Sequence, residues 1–509
     1  MDEIILGTDR IGIEDLVEIA RGHRTAALSE GAVSAVMRSR ALVEKWVREG
    51  KVIYGITTGL GALCQVGIPE KDTIALQRNT LRSHAVGVGE PLPEEVVRGT
   101  MAVRTNDLAK GYGGIRLETL SALLNVLNEG IYPVVPCKGS VGASGDLAPM
   151  AHVALVLIGE GEAFFKGKRM TGKDALAAAG LQPVTLEAGE ALALINGTQV
   201  MASLTLLAVY DATRLAKVAD IACAMTLEVL MGTDATFDPQ IHLLRPHPGQ
   251  QAAARNMTRL TENSEIISSH KDCSRIQDAY TIRCSPQIHG ASRDATEHAR
   301  RTVEIEINST TTNPIILADT QRVLTGGNFH GQPLALCADF LTMAASELGN
   351  VSERRIERLV NPQLSGLPAF LIQDTGLNTG FMIAQYTAAA LVSENKCLSH
   401  PACVDSIPTS GNKEDHVSMG TISARKCRSA IENAEYVLAI ELLCACQAMD
   451  MLTCGKAGKG TLESYRAIRE HVPLLDHDRF LAPEIETAAS LIRTGEILAR
   501  VESKIGLLE

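Results

Sequence analysis

The strongest constraint on this chain is a set of long stretches in its second half where apolar residues recur every three or four positions. They cover roughly 198–232, 333–360, 377–399 and 420–453, and each outruns an average globular helix. The spacing therefore predicts a bundle of long helices. Up to about residue 190 the pattern is different, with short helical segments alternating with Gly-rich turns and strand-like pieces such as Lys51-Val52-Ile53-Tyr54. The expected fold is mainly α, with a mixed N-terminal region over 1–195 and a long-helix region over 196–509. Aromatic residues are only 3% of the chain, so aliphatic side chains must fill the helix interfaces. Gly and Pro punctuate the gaps at Pro246 to Gly249, Gly326-Gly327 and Pro408 to Gly411, which puts polar residues with chemical potential in loops at helix ends.

Several function classes are disfavoured. The chain has 48 basic and 59 acidic residues, a net charge of −11, and lacks the clustered Lys/Arg footprint that phosphate backbones require. Nucleic acid is not an expected partner. Met1-Asp2-Glu3-Ile4 carries no basic leader, and the apolar run near Leu204 is interrupted by Asp211, Arg214, Lys217 and Asp220, so a cytoplasmic chain without membrane spans is expected. The twelve cysteines form no CxxC pair and read as reduced core thiols. Isolated histidines such as His152 and His298 read as structural, and no catalytic metal is expected. Gly455 to Thr461 resembles a phosphate loop, but Gly460 follows Lys459 where Ser or Thr is needed. Asp146 occupies the last Gly position of a nucleophile elbow, and Gly59-x-Gly61 and Gly87-x-Gly89 lack the third glycine of a dinucleotide fingerprint.

The most unusual segment runs from Gly139 to Pro149. Small residues at 142 to 145 permit a tightly bent, crowded backbone, and Asp146 is placed to cap a helix starting after it. Spacing alone describes a Gly-rich helix entry equally well. The run Ala143-Ser144-Gly145-Asp146-Leu147-Ala148-Pro149 is, however, similar residue for residue to the signature of the aromatic amino acid lyase and aminomutase family. That resemblance implies that the Gly145 amide nitrogen attacks the Ala143 carbonyl. Loss of two waters then leaves a methylidene-imidazolone (MIO) ring whose exocyclic methylene comes from Ser144. Elimination of an amine needs such a group, because no ordinary side chain is a strong electrophile. No external cofactor is implied.

The resemblance continues along most of the chain. Tyr54-Gly55-Ile56-Thr57-Thr58-Gly59 resembles the loop whose Tyr is the general base, which at neutral pH needs a pKa below the usual value near 10. Asn196-Gly197-Thr198-Gln199 resembles a loop with its Asn beside the MIO. Gln277 to Arg283 resembles the segment that supplies a second Tyr, here Tyr280, and an Arg for the substrate carboxylate, a task suited to a planar guanidinium. Asn313-Pro314 and Gly327-Asn328-Phe329-His330 resemble loops whose Asn and Phe flank substrate and MIO.

His84 resembles a position that carries His in members acting on histidine or tyrosine, and Glu414 one typical of members acting on histidine, where it would accept an imidazole N–H. Thr57, Leu60 and Thr312 depart from that pattern, and Gly331-Gln332-Pro333 resembles some tyrosine-directed members. The implied activity is elimination of ammonia from L-histidine to give urocanate. The alternatives are a tyrosine lyase or tyrosine 2,3-aminomutase, and an inactive helical assembly protein. A small-molecule amino acid substrate and a homotetramer with shared active sites are implied as well.

Overall fold

The structure is a computed structural model that describes residues 3–8, 10–271, 273 and 276–509. Met1 and Asp2, on which the reading of the chain's start rests, lie outside the described residues. The fold is mainly α: among the described residues there are twenty-one α-helices and four sheets of two or three short strands. The long helices are Gln199–Val229, Gln332–Val360, Met382–Leu398 and Gly420–Met451, each within a predicted stretch or offset from it by one residue at its start. A further long helix, Ser285–Glu306, was not expected.

Lys51 to Tyr54 does not form a strand. The Thr57 hydroxyl accepts the Ile53 N–H at 2.9 Å and donates to the Lys51 carbonyl at 2.8 Å. This side chain closes a turn with backbone groups that a neighbouring strand would otherwise use.

The chain divides into two compact units. The first comprises Met1–Leu207, Arg300–Ala338 and Pro401–Arg425; the second comprises Ala208–Ala299, Asp339–His400 and Lys426–Glu509. The first unit draws on sequence from both sides of residue 195 and the second lies wholly after it, so the expected division into 1–195 and 196–509 follows the order of secondary structure and not these units.

The first unit contains all four sheets and the Leu147–Leu157 helix, whose apolar residues Met150, Val153, Val156 and Leu157 are buried. In the second unit every residue from 437 to 448 is buried, as expected of a helix segment apolar on all sides. Glu441 and Gln447 are the polar exceptions in that run, and Glu441 is fully paired. Its carboxylate accepts from Arg355 Nε at 2.5 Å and Nη2 at 2.8 Å, from Thr226 at 2.8 Å and from Ser352 at 2.6 Å. Isolated charge in such a core would cost several kcal/mol.

The phosphate-loop-like segment has an internal explanation. The Gly458 N–H donates to buried Glu228 Oε1 at 2.7 Å, so a carboxylate of the chain itself takes the place of an external anion. No described helix is long and apolar enough to cross a membrane, and the cysteines are free, half of them buried.

Candidate active site

The segment from Gly142 to Gly145 is bent as its small residues allow. Gly142 and Gly145 both have φ of +80° and Ser144 has φ of +52°, and the Gly145 N–H donates to the Gly142 carbonyl at 3.3 Å, closing a turn over Ala143 and Ser144. A left-handed non-glycine residue such as Ser144 costs about 1–2 kcal/mol, so neighbours must hold it there. They come from distant parts of the first unit. Asp146 N–H donates to the Gly197 carbonyl at 2.8 Å, and a Cβ on Gly145 would lie 2.0 Å from that same oxygen. Only glycine fits at 145.

Asp146 does not cap its own helix: no side-chain cap is made to Leu147–Leu157. Its carboxylate instead accepts the Met201 N–H at 2.9 Å, in the first turn of Gln199–Val229, and the Thr421 hydroxyl at 2.5 Å. Burial pushes its pKa up to about 6, against the effect of these donors. The loop carrying Asn196 is anchored behind it. Gln199 Nε2 donates to Asp107 at 3.0 Å and to Thr311 at 2.8 Å, and Thr198 donates to Glu306 at 2.5 Å. Asn196 Nδ2 consequently reaches the Ser144 carbonyl at 3.3 Å, while its Oδ1 is buried without a partner.

Ser144 opens on a cavity of about 480 Å3, within the range of small-molecule sites. Its walls include Tyr54, Thr58, Cys64, Ala143, Ser144, Asn313, Phe329, His330, Lys413, Glu414 and His416. The Ser144 hydroxyl donates to Glu414 Oε1 at 3.2 Å, and Glu414 Oε2 accepts from Thr409 at 3.2 Å. Asn313 precedes a cis peptide and accepts the Gly326 N–H at 3.0 Å, which ties the two loops bearing Asn313 and Phe329 together. The Tyr54 loop meets the Glu414 loop through Ser410, whose hydroxyl accepts the Ala62 N–H at 3.1 Å. Tyr54 is half-buried, and its phenolic oxygen accepts the Gly61 N–H at 3.4 Å. Burial first, and then nearby Glu414, raise its pKa, opposite to the lowering expected of a base.

Of the residues named from sequence, the structure gathers Tyr54, Ala143, Ser144, Asn313, Phe329 and Glu414 around one cavity, with Gly145 and Asn196 directly behind. His84 is elsewhere: it ends the Thr73–His84 helix and donates from Nδ1 to the Thr80 carbonyl of its own turn at 2.8 Å. Gln277, Tyr280 and Arg283 belong to the second unit. There Gln277 is exposed, Tyr280 is 69% exposed, and the Arg283 guanidinium lies 4.6 Å from the Tyr280 ring centroid.

Sequence reasoning missed Cys64, Lys413 and the near-parallel stack of His330 on His416, 5.8 Å between centroids. His330 sits in the Gly327-Asn328-Phe329-His330 motif already singled out and His416 lies two residues after Glu414, which was the available signal. Thr421 carried none, since it is an ordinary first-turn residue of Gly420–Met451. His152 accepts the Gly87 N–H at 3.1 Å and is structural, as expected.

The second unit has a more apolar cavity of about 400 Å3. Its polar groups are taken: both His242 ring nitrogens are engaged, and Arg255 holds Glu509. Among the described residues no three His, Cys, Asp or Glu side chains are grouped to hold a metal ion.

The chain matches the aromatic amino acid lyase family over residues 11–470. It is 54% identical to a histidine ammonia-lyase of Alkaliphilus oremlandii over 507 residues, all of both chains. The crystal structure of histidine ammonia-lyase from Trypanosoma cruzi superposes with a TM-score of 0.92 at 42% identity, covering 99% of this chain and 95% of that one. A tyrosine aminomutase from Streptomyces globisporus gives 0.94 at 37% identity, covering 99% of each.

Proposed function

The chain belongs to the aromatic amino acid lyase family, and from that membership we propose that it eliminates ammonia from L-histidine to give urocanate, using an electrophile made from Ala143, Ser144 and Gly145. The observation that carries this reading is the placement of Ser144, Glu414 and Tyr54 on one cavity, in a chain whose relatives at 50–54% identity are histidine ammonia-lyases. The residues present suit an MIO. The 142–145 turn is already closed, position 145 excludes a side chain, and the unpartnered Asn196 Oδ1 adjoins the segment. An imidazolone with an exocyclic methylene supplies the electrophilic carbon toward the substrate amine that the twenty side chains lack.

The chain's own residues do the remaining work. Glu414 accepts an imidazole N–H from the substrate, and a purely apolar ring would leave this carboxylate desolvated and unpaired. Tyr54 removes the proton from the carbon next to the one bearing the amine. Phe329 and Asn313 flank the substrate, and Arg283 takes its carboxylate by two parallel hydrogen bonds.

We assign Tyr280 and Arg283 to a site completed by another copy of the chain, in a homotetramer. Exposed Phe340, Met343, Ile383 and Tyr386 support assembly, since a monomer seldom leaves so many large apolar groups in water.

The test is incubation of purified protein with single amino acids. Ultraviolet-absorbing urocanate from histidine is the expected result. A cinnamate-type or β-amino acid product from tyrosine would replace the substrate assignment, and no turnover of any candidate would end the enzymatic one. Intact mass should be two waters below the sequence formula. In Ser144→Ala, which removes the methylene source, turnover should nearly vanish with helicity retained.

A further inference from the structure

Ser140 and Thr421 have no part in the chemistry described so far, yet their hydroxyls bracket the segment that must cyclise. Ser140 Oγ accepts the Gly142 N–H at 3.2 Å and lies 3.3 Å from the Gly145 carbonyl oxygen. One oxygen atom thus touches the backbone on the N-terminal side of Ala143 and again at Gly145. Thr421 Oγ1 is 2.9 Å from Ser140 Oγ and 2.5 Å from Asp146 Oδ1, and Ser140 Oγ is 3.3 Å from the same carboxylate oxygen.

Each hydroxyl has one proton to place. The shorter contact puts Thr421's proton on Asp146. Ser140's single proton is then shared among Thr421 Oγ1, the Gly145 carbonyl and the same carboxylate, while its oxygen accepts from Gly142. Thr421 is 5% exposed and Asp146 fully buried, so bulk water does not compete for the bond between them.

Ring closure joins the Gly145 nitrogen to the Ala143 carbonyl carbon. Its rate depends on how often the open chain presents those two atoms to each other, and holding reacting groups in place is worth orders of magnitude. The turn that brings them together contains a left-handed serine and would relax if released. From this geometry we infer that Ser140 and Thr421 are positioning residues for formation of the electrophile, clamping the Gly142–Gly145 turn closed until the ring has formed. The inference rests on the proposed electrophile.

In the closure, the Gly145 nitrogen bonds to the Ala143 carbonyl carbon, and the Ala143 oxygen departs as one water with the Gly145 and Ser144 amide protons, leaving a C=N bond from that carbon to the Ser144 nitrogen. The Ser144 hydroxyl and α-proton depart in the second. No oxidant or other reactant is consumed.

The test uses full-length wild type, Ser140→Ala, Thr421→Val and Thr421→Ser. Each is purified by size exclusion so that only folded protein is weighed, and intact mass is read at once and over hours at 37 °C. Wild type should be two waters light. Ser140→Ala and Thr421→Val should emerge at least tenfold richer in species heavier by one or two waters and lose water slowly during incubation. Thr421→Ser, which keeps the hydroxyl, should match wild type. A mere structural role would not be rescued in this way.

Full dehydration of Ser140→Ala and Thr421→Val at the wild-type level would overturn the positioning role and leave the proposed electrophile intact. A wild type of unmodified mass would instead remove the electrophile, and the inference with it. If Thr421→Val yields no folded protein, Ser140→Ala decides alone, because it deletes a single oxygen from a half-buried position.

Discussion

Tyr54, as the proposed base, sets the expected pH dependence of the reaction. Burial and Glu414 hold its proton more firmly than in an ordinary phenol, so the base form is scarce at neutral pH and increases with pH. The rate kcat/KM should therefore climb from pH 7 toward 10, and Tyr54→Phe should lower it by about 10²–10⁴. A profile already flat at pH 7, or a Phe variant of near wild-type rate, would remove Tyr54 as the base. Residues like Tyr54 and Glu414 were legible in the sequence because the motifs around them resemble a family whose loops have assigned roles. The raised pKa was not legible, since it arises first from burial in the fold and then from a carboxylate 360 positions away in the chain. Nor was the behaviour of Asp146, whose helix-start position indicates a cap while its carboxylate serves the first turn of a different helix.

Among the elements, the turn at 142–145 is the least tolerant of change. Adding one methyl group in Gly145→Ala places a carbon 2.0 Å from the Gly197 carbonyl oxygen, at a φ of +80° that side chains resist. The variant should keep most of its helicity by circular dichroism but retain both waters by intact mass. A dehydrated Ala variant would show that the two strands of chain can part without harm.

A second element-scale expectation concerns the buried helix contacts around His289. Its Nδ1 donates to Asp220 at 2.7 Å, leaving Nε2 to accept from Arg355 at 3.3 Å, so the ring is neutral in the fold. Burial lowers its pKa below 6.5. Below that pH the unfolded chain takes up a proton that the folded ring refuses, so this contribution is intact above 6.5 and is lost as pH falls. The urea midpoint should drop between pH 7.5 and 5.5, and His289→Asn should flatten the slope; an unchanged slope would assign the effect to other groups. Apolar spacing alone found four of the long helices. Ser285–Glu306 escaped because its many polar residues obscure a narrow stripe of Ala295, Ala299 and Val303, all buried.

At the scale of the whole molecule, the chain passes between its two units five times, and four of these passages fall inside helices. Linker composition marks domain boundaries only where chain leaves one body through a loop, which explains why the division read at 195/196 does not coincide with these units. Assembly makes the remaining prediction. If Tyr280 and Arg283 complete the site of another copy, dilution to monomers should abolish turnover, as followed by sedimentation and activity on the same samples. A fully active monomer would contradict the shared site.

The supports of the 142–145 turn arrive in two instalments, Asn196 to Met201 and then Glu414 to Thr421. On the proposed chemistry, a nascent chain would carry its future warhead through most of synthesis as plain peptide, harmless to cellular amines and thiols. Only a polypeptide that has brought home residues 414–421 would then acquire the means to arm itself, making reactivity a certificate of correct folding.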